Sequence, residues 1–122
     1  MKKIAITGSG GMTGSHLLSL LRKKEIPFVA LTRNDWDICQ WKSFKELDTI
    51  FRNCEAVFHF AAQIPKIDYS TLNIFDVNVR SCLNLAEWAT SRCMPIIFLS
   101  GATVYKDSHK AKISEMDKTE PM

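Results

Sequence analysis

Three glycines, Gly8, Gly11 and Gly14, recur at three-residue intervals near the start of the chain. They separate an apolar run at residues 4–6, which predicts a buried strand, from a leucine-rich stretch at residues 12–24, which predicts a helix. In that context the first glycine permits a tight turn, the second lets backbone approach a pyrophosphate, and the third allows close helix–strand packing. The helix N-terminus offers free N–H groups to phosphates. The pattern predicts a nucleotide-binding turn, with a ligand-free glycine turn as the alternative; no Gly-Lys-Ser/Thr follows, which excludes a P-loop.

The residues after the second predicted strand indicate which dinucleotide would bind. In this kind of site an acidic residue at that strand end accepts hydrogen bonds from the adenosine ribose, whereas this chain has Thr32 and Arg33. A guanidinium pairs with a 2′-phosphate and stacks on adenine, and a carboxylate would repel the phosphate. The sequence therefore favours NADP(H) over NAD(H). The alternatives are that Arg33 is only a solvated strand-end residue, and that nearby Asp35 offers the carboxylate.

Strands and helices alternate along the chain, which is what must position these residues. Continuous apolar runs predict strands at residues 4–6, 28–31, 56–60 and 96–99, and a very short strand is expected at 35–38. Helices are predicted at residues 12–24, after the Ser43–Glu46 capping box, and at about 74–92. Strands apolar throughout and joined by helices are typical of a covered parallel sheet. The predicted fold class is α/β, a Rossmann-type doubly wound parallel sheet that is incomplete at its C-terminal side.

Composition narrows the partners and the environment. The chain has 122 residues, which fits one NAD(P)-binding domain over residues 1–122, and a net charge of +3. The basic residues are scattered, so no nucleic-acid partner is expected. No run is apolar and long enough for a membrane span. The four cysteines form no C-x-x-C pair, so we expect no metal site, reduced thiols and a cytoplasmic location.

Several segments together resemble the extended short-chain dehydrogenase/reductase family, the NAD(P)-dependent sugar epimerases and dehydratases. The glycine turn, with Thr7 before it, matches the family's T-G-x-x-G-x-x-G, and the other matching segments are Asp37-Ile38, His59-Phe60-Ala61-Ala62, Asn78-Val79 with Leu83-Asn84-Leu85, and residues 98–105. Any one of them alone is explained equally well by packing. Their joint order carries the resemblance.

The resemblance assigns roles to residues along the cofactor. It implies that backbone at Met12 and Thr13 meets the pyrophosphate, and that Asp37 and Ile38 contact adenine. It also implies that the strand end Phe60, Ala61 and Ala62 lies along the cofactor and that Asn78 braces the cofactor side of the sheet. Residues 98–105 correspond to the segment that opens the family's active site, where Ser100 would also approach the cofactor.

The chain departs from the family at three points. The catalytic Ser or Thr of the family is Gly101 here, so Ser100 and Thr103 are the candidate catalytic replacements. Where the family's helix motif has a small glycine, this chain has Ser81. The family's Tyr-x-x-x-Lys pair is not found before Met122, and a phenol needs such a neighbouring cation to act as a base at neutral pH. We therefore expect this chain to be catalytically incompetent alone and to be cut before the catalytic helix and the substrate-binding region.

The functional expectation is the NAD(P)-binding portion of a nucleotide-sugar epimerase, dehydratase or reductase. The intact protein would take a nucleotide sugar as substrate. Two alternatives stay open: a non-catalytic dinucleotide-binding module, such as a sensor or regulatory subunit, and a remnant without function. The apolar strand Ile96-Ile97-Phe98-Leu99 is expected to be an exposed sheet edge through which the chain self-associates.

Overall fold

The computed structural model describes residues 1–64, 70–100 and 112–119. Its elements alternate between strands and helices: β1 (Lys3–Thr7), α1 (Met12–Lys23), β2 (Phe28–Ala30), α2 (Phe44–Ile50), β3 (Cys54–His59), α3 (Thr71–Phe75), a π-helical segment (Asp76–Arg80), α4 (Ser81–Arg92) and β4 (Ile96–Phe98). In the described part of the chain, four strands form an all-parallel sheet in the order β2-β1-β3-β4. The predicted α/β class and parallel sheet are confirmed.

The sheet is covered on both faces. Neighbouring residues of β1 point to opposite faces, and the residues on each face pack in a buried apolar cluster. Ile6 of β1 packs with Leu18 and Leu21 of α1. Ala5, the residue before it, packs in a second cluster on the other face, whose further members are Leu31, Trp36, Leu47, Phe51, Val57, Leu85, Trp88 and Ala89. Burial of apolar side chains on both faces explains why the strand runs are apolar throughout.

The expected short strand at residues 35–38 is wrong. Asp35 instead closes a turn: its Oδ2 accepts hydrogen bonds from the backbone N–H of Thr32 at 2.7 Å and from the Thr32 hydroxyl at 2.8 Å. Asp37 does the same one step later, where its Oδ1 accepts the Cys39 N–H at 3.2 Å. Short acidic side chains that bond nearby backbone compete with a strand ladder.

The long helix predicted at about residue 74 begins earlier and contains a π-helical segment. Ser70 caps α3, its hydroxyl accepting the Asn73 N–H. At the start of α4, Ser81 is buried, and its hydroxyl donates to the carbonyl of Val77. That bond satisfies the polar group that replaces the family's glycine, so the substitution leaves no unpaired hydroxyl in the core.

Side chains of α4 bind α2 across the second core cluster. Asp48 accepts the Trp88 indole N–H at 2.8 Å and two guanidinium bonds from Arg92 at 2.8 and 2.9 Å. The hydrogen bonds from Arg92, then that from Trp88, lower the pKa of Asp48 to about 2. The capping box predicted for α2 is also present, with both reciprocal bonds between Ser43 and Glu46.

Among the strands that the structure describes, β4 lies at the edge of the sheet, and apolar side chains of β4 and of the residue after it are exposed. Ile97 is 39% exposed, Phe98 42% and Leu99 58%. Self-association through this edge stays a prediction. None of the described helices has the length and apolar character needed to cross a bilayer.

A buried polar pair joins β1 to β3 at the carboxyl ends of the strands. The Thr7 hydroxyl lies 2.9 Å from Nδ1 of His59, and both residues are buried. On the other side, the His59 ring meets Phe98 edge-on at 5.4 Å between centroids. His59 Nε2 has no hydrogen-bond partner among the residues that the structure describes. Desolvation by burial lowers the pKa of His59 to about 4 from its ordinary 6.5.

The first prediction is that His59 makes the chain less stable in mild acid. His59 binds a proton near pH 6.5 in the unfolded chain and only near pH 4 in the folded chain, so above about pH 6.5 its protonation does not reduce stability. As the pH falls from about 6.5 to about 4, the free energy of unfolding decreases by about 3 kcal/mol. Urea denaturation between pH 7 and pH 4 measures the loss, and His59→Gln should flatten it.

The matched control is His16→Gln, which removes an exposed histidine from α1 and should keep the wild-type pH dependence. Carboxylates titrate in the same pH range, so the informative quantity is the difference between wild type and each variant. Identical pH dependence in wild type and His59→Gln would contradict the assignment.

Candidate nucleotide-binding site

A cavity of about 580 Å³ opens at the carboxyl edge of the sheet. It lies where the chain leaves β1 and β3 in opposite directions, the place where open parallel sheets bind ligands. The predicted site residues that line it are Gly8, Gly11, Thr32, Arg33, Asp37, Ile38, Phe60, Ala61 and Ala62. The structure therefore brings four separately predicted segments together around one opening.

Gly8 forms the corner of this cavity, in the left-handed region at φ 64°. A Cβ added there would lie 2.6 Å from the Ala61 backbone nitrogen, so the chain leaving β3 passes directly over it. Gly14 is equally constrained, because a Cβ there would clash with the Gly8 carbonyl oxygen and Ser9. By contrast, a Cβ at Gly10 would meet no atom within 4 Å. The spacing Gly8–Gly11–Gly14 thus selects the positions where side chains do not fit or fit tightly.

The N-terminus of α1 follows the glycine turn with its amides unpaired. Gly11 is the N-cap, with no side-chain cap, and the first turn contains no acidic residue. Within the described chain, the N–H groups of Met12, Thr13 and Gly14 have no acceptor; the Ser15 N–H, which bonds the Gly11 carbonyl, is the first that does. These three residues do not line the cavity but form the helix turn next to Gly11, which does. Unpaired amides and the helix dipole favour an anion at this point.

The opposite end of the cavity carries a basic side chain. Arg33 lines it, and no carboxylate of the described residues lies within ion-pair distance of the guanidinium. The carboxylate of Asp35 is turned to Thr32, and the backbone N–H and then the hydroxyl of Thr32 lower its pKa. Arg33 is therefore available to an anionic ligand.

Several lining residues were not predicted from the sequence: Ser9, Gly10, Trp36, Cys39, Gln63, Asn73 and Val77. Ser9 is buried and its hydroxyl donates to the Leu31 carbonyl at 3.1 Å, which ties the glycine turn to the end of β2. Trp36 is buried too and meets Phe51 edge-on. The sequence signal that could have indicated this wall of the cavity is Trp36 itself, a lone tryptophan in a polar stretch between Arg33 and Asp37.

Asn78 lies just outside the cavity and holds one of its loops. Its side chain accepts the Gln63 N–H at 2.7 Å and donates to the Gln63 carbonyl at 2.8 Å. The bracing role toward the cofactor that the resemblance implied for Asn78 stays a prediction.

Of the two candidate catalytic residues, Ser100 belongs to the described part of the chain. Ser100 is exposed and does not line the cavity. Thr103 and Gly101 lie outside the described residues. In the described part of the chain, no cluster of three or more His, Cys, Asp or Glu side chains is arranged to hold a metal ion.

Comparisons with solved structures show a shared fold. The chain is similar to a dTDP-4-dehydrorhamnose reductase from Clostridium acetobutylicum, with a TM-score of 0.81 and 24% identity over 98% of this chain and 43% of that one. It is similar to the Bacillus anthracis dTDP-4-dehydrorhamnose reductase in complex with NADP, with a TM-score of 0.78 and 20% identity over 99% of this chain and 44% of that one.

A third similar structure is a short-chain dehydrogenase/reductase superfamily protein from Agrobacterium tumefaciens with bound NAD. The TM-score is 0.78 and the identity 19%, over 98% of this chain and 39% of that one. The chain thus spans less than half the length of each of these proteins.

A match at the level of whole families agrees with the geometry. The model of the NAD dependent epimerase/dehydratase family matches residues 4–122. Together with the parallel sheet and the glycine turn at its switch point, this match shows that the chain belongs to the NAD-dependent epimerase/dehydratase family.

Proposed function

We propose that this chain binds a nicotinamide dinucleotide in the cavity between the glycine turn and the β3 exit. The observation that carries the proposal is the first turn of α1, whose unpaired Met12, Thr13 and Gly14 amides stand beside the cavity-lining Gly11. A diphosphate supplies the acceptors that these donors lack. Similar proteins bind NADP and NAD in their solved structures, which supports the same class of ligand here.

The residues present fit such a group along the whole cavity. The volume of about 580 Å³ lies in the range of small-molecule pockets. One wall is the backbone at Phe60, Ala61 and Ala62, and the small side chains of the two alanines leave room for an extended ligand. Asp37 and Ile38 form the wall near Arg33, where we place the adenosine half.

For the intact protein we propose a nucleotide-sugar reductase, epimerase or dehydratase. The bound nicotinamide would supply hydride transfer to or from a substrate carbon. The support is the family match and the likeness to two dTDP-4-dehydrorhamnose reductases. In this proposal the described residues bind and orient the dinucleotide, and Ser100 and Thr103 are the candidates for substrate contact. A non-catalytic dinucleotide-binding module remains the alternative, and it predicts the same cofactor binding without turnover.

Within the proposal, NADP(H) is preferred because of Arg33. Its guanidinium is free of carboxylate partners in the described chain, and no acidic residue stands at the end of β2 where a ribose acceptor is expected. The Asp35 carboxylate, already bonded to Thr32, is the group that argues for the competing ribose contact. The balance favours a 2′-phosphate on Arg33.

The second prediction concerns the glycine turn. Gly11→Ala should weaken NADPH and NADH about tenfold or more, because a methyl group next to the α1 amides keeps the diphosphate from approaching them. Its Cβ would contact only the Gly8 carbonyl, at 3.3 Å, so the fold should survive. Isothermal titration calorimetry measures affinity, and circular dichroism checks the fold. Ser19→Ala, at an exposed position of α1 that does not line the cavity, is the control and should bind within about twofold of wild type.

No binding of either dinucleotide to the wild-type chain at millimolar concentration would refute the proposal. Equal affinities of Gly11→Ala and Ser19→Ala would place the diphosphate elsewhere.

The third prediction concerns cofactor choice. Arg33→Ala should weaken NADPH about 10- to 100-fold, the loss expected for a charge-assisted bond to phosphate, and change NADH affinity by less than about threefold. Competitive calorimetry with both dinucleotides gives the selectivity ratio. Arg52→Ala removes the same charge from an exposed position in the turn between α2 and β3 and should leave the ratio unchanged. Tighter binding of NADH than NADPH by wild type would overturn the preference.

A further inference from the structure

We propose that Asn84 is a positioning residue for the adenosine end of the site, acting through the loop segment of residues 36–42, here called the adenosine wall. The inference rests on the proposed dinucleotide binding and deepens it. Asn84 touches no ligand in this proposal. It holds the backbone whose residues Trp36, Asp37, Ile38 and Cys39 line the cavity.

The contact is a paired one between an amide side chain and a peptide group. Asn84 Oδ1 accepts the Lys42 N–H at 2.8 Å, and its Nδ2 donates to the Lys42 carbonyl at 2.9 Å. Asn84 is 1% exposed and Lys42 is half-buried, so the asparagine side of both bonds is shielded from water. Loss of these two hydrogen bonds would leave polar groups of Asn84 and of the Lys42 backbone without partners. The position of Lys42 against α4 is therefore fixed by the cost of leaving those groups unsatisfied.

The adenosine wall is otherwise organised by local bonds. The Trp36 indole donates to the Gln40 carbonyl at 3.1 Å, and the Gln40 N–H donates to the Asp37 carbonyl at 2.8 Å. The Asp37 carboxylate accepts the Cys39 N–H. These bonds shape the wall but join residues within it. The Asn84 pair spans 42 positions of sequence and places the shaped wall against the α4 face of the sheet.

Only an asparagine side chain of this length supplies both halves of the pair. Aspartate offers the acceptor for the Lys42 N–H but no donor for the carbonyl, and alanine offers neither. Asn78 makes the same type of pair with Gln63 on the opposite side of the cavity. The π-helical segment and α4, which follow each other directly, therefore carry two asparagines. Each of them holds one loop of the proposed ligand site, Asn84 the adenosine wall and Asn78 the loop at Gln63.

The test uses the 122-residue chain and the two halves of the cofactor as separate probes. Adenosine 2′,5′-bisphosphate reports the adenosine end, and reduced nicotinamide mononucleotide reports the other. Asn84→Ala should weaken the bisphosphate about fivefold or more and the mononucleotide by less than about twofold. Asn84→Asp, which keeps the shape and one bond, should lie between, and it serves in place of Asn84→Ala if that variant does not fold.

A second measurement needs no ligand. Hydrogen exchange by mass spectrometry should show the amides of residues 37–43 exchanging about tenfold faster in Asn84→Ala, because the Lys42 amide is released from its buried acceptor. Asp48→Ala is the control for general loosening, since it breaks the Trp88 and Arg92 bonds of the same helix without touching Lys42. It should leave the 37–43 segment and the bisphosphate affinity unchanged.

The outcomes separate the two proposals. A wild-type chain that binds neither the intact dinucleotides nor their halves refutes the proposed function, while the exchange experiment still decides the role of Asn84. Wild-type exchange of residues 37–43 in Asn84→Ala overturns the inference. So does an equal loss of both half-ligands, or a loss in Asp48→Ala as large as in Asn84→Ala, because each is the result of a merely structural role.

Discussion

The close passage of two backbones at Gly8 is the constraint on which the rest of the site depends. The chain leaving β3 crosses the glycine so tightly that a Cβ would lie 2.6 Å from the Ala61 nitrogen. Thr7 secures the crossing, its carbonyl accepting the Phe60 N–H and its hydroxyl the Ala61 N–H, both at 3.3 Å. Any side chain at position 8 would push the strand ends apart and open the corner where α1 begins. The missing Cβ is therefore a requirement of chain crossing as much as of turn geometry.

From that corner the site is built outward by bonds between strand ends. Ser9 reaches across to the Leu31 carbonyl, so the glycine turn is held to β2 on one side and to β3 on the other. The cavity consequently has walls from three neighbouring strands, although those strands are far apart in the sequence. Parallel connections make this possible, because every β-to-α turn emerges at the same edge of the sheet.

Much of this was predictable, and the reason is that the signals were local. Glycine spacing, the Ser43–Glu46 capping box and apolar strand runs each depend on residues within one turn or strand. The features that were missed depend on partners distant in sequence or on competition. No residue near Lys42 in the sequence indicates that Asn84 will bind it. The strand expected at 35–38 does not form because Asp35 and Asp37 accept hydrogen bonds from nearby backbone and make turns. The π-helical segment was missed as well, because the apolar periodicity of a sequence does not distinguish it from an α-helix.

The helix face that holds the adenosine wall also holds the core together. Asn84, Trp88 and Arg92 follow each other at four-residue intervals on α4, so all three project toward α2 and the loop before it. Asn84 binds Lys42, while Trp88 and Arg92 both donate hydrogen bonds to Asp48. An opening of the wall by itself must break the buried asparagine pair, and an opening with α2 must expose Trp88. The wall is thus tied to the most buried part of the molecule, so the end of the cavity proposed for adenosine is already formed before a ligand binds.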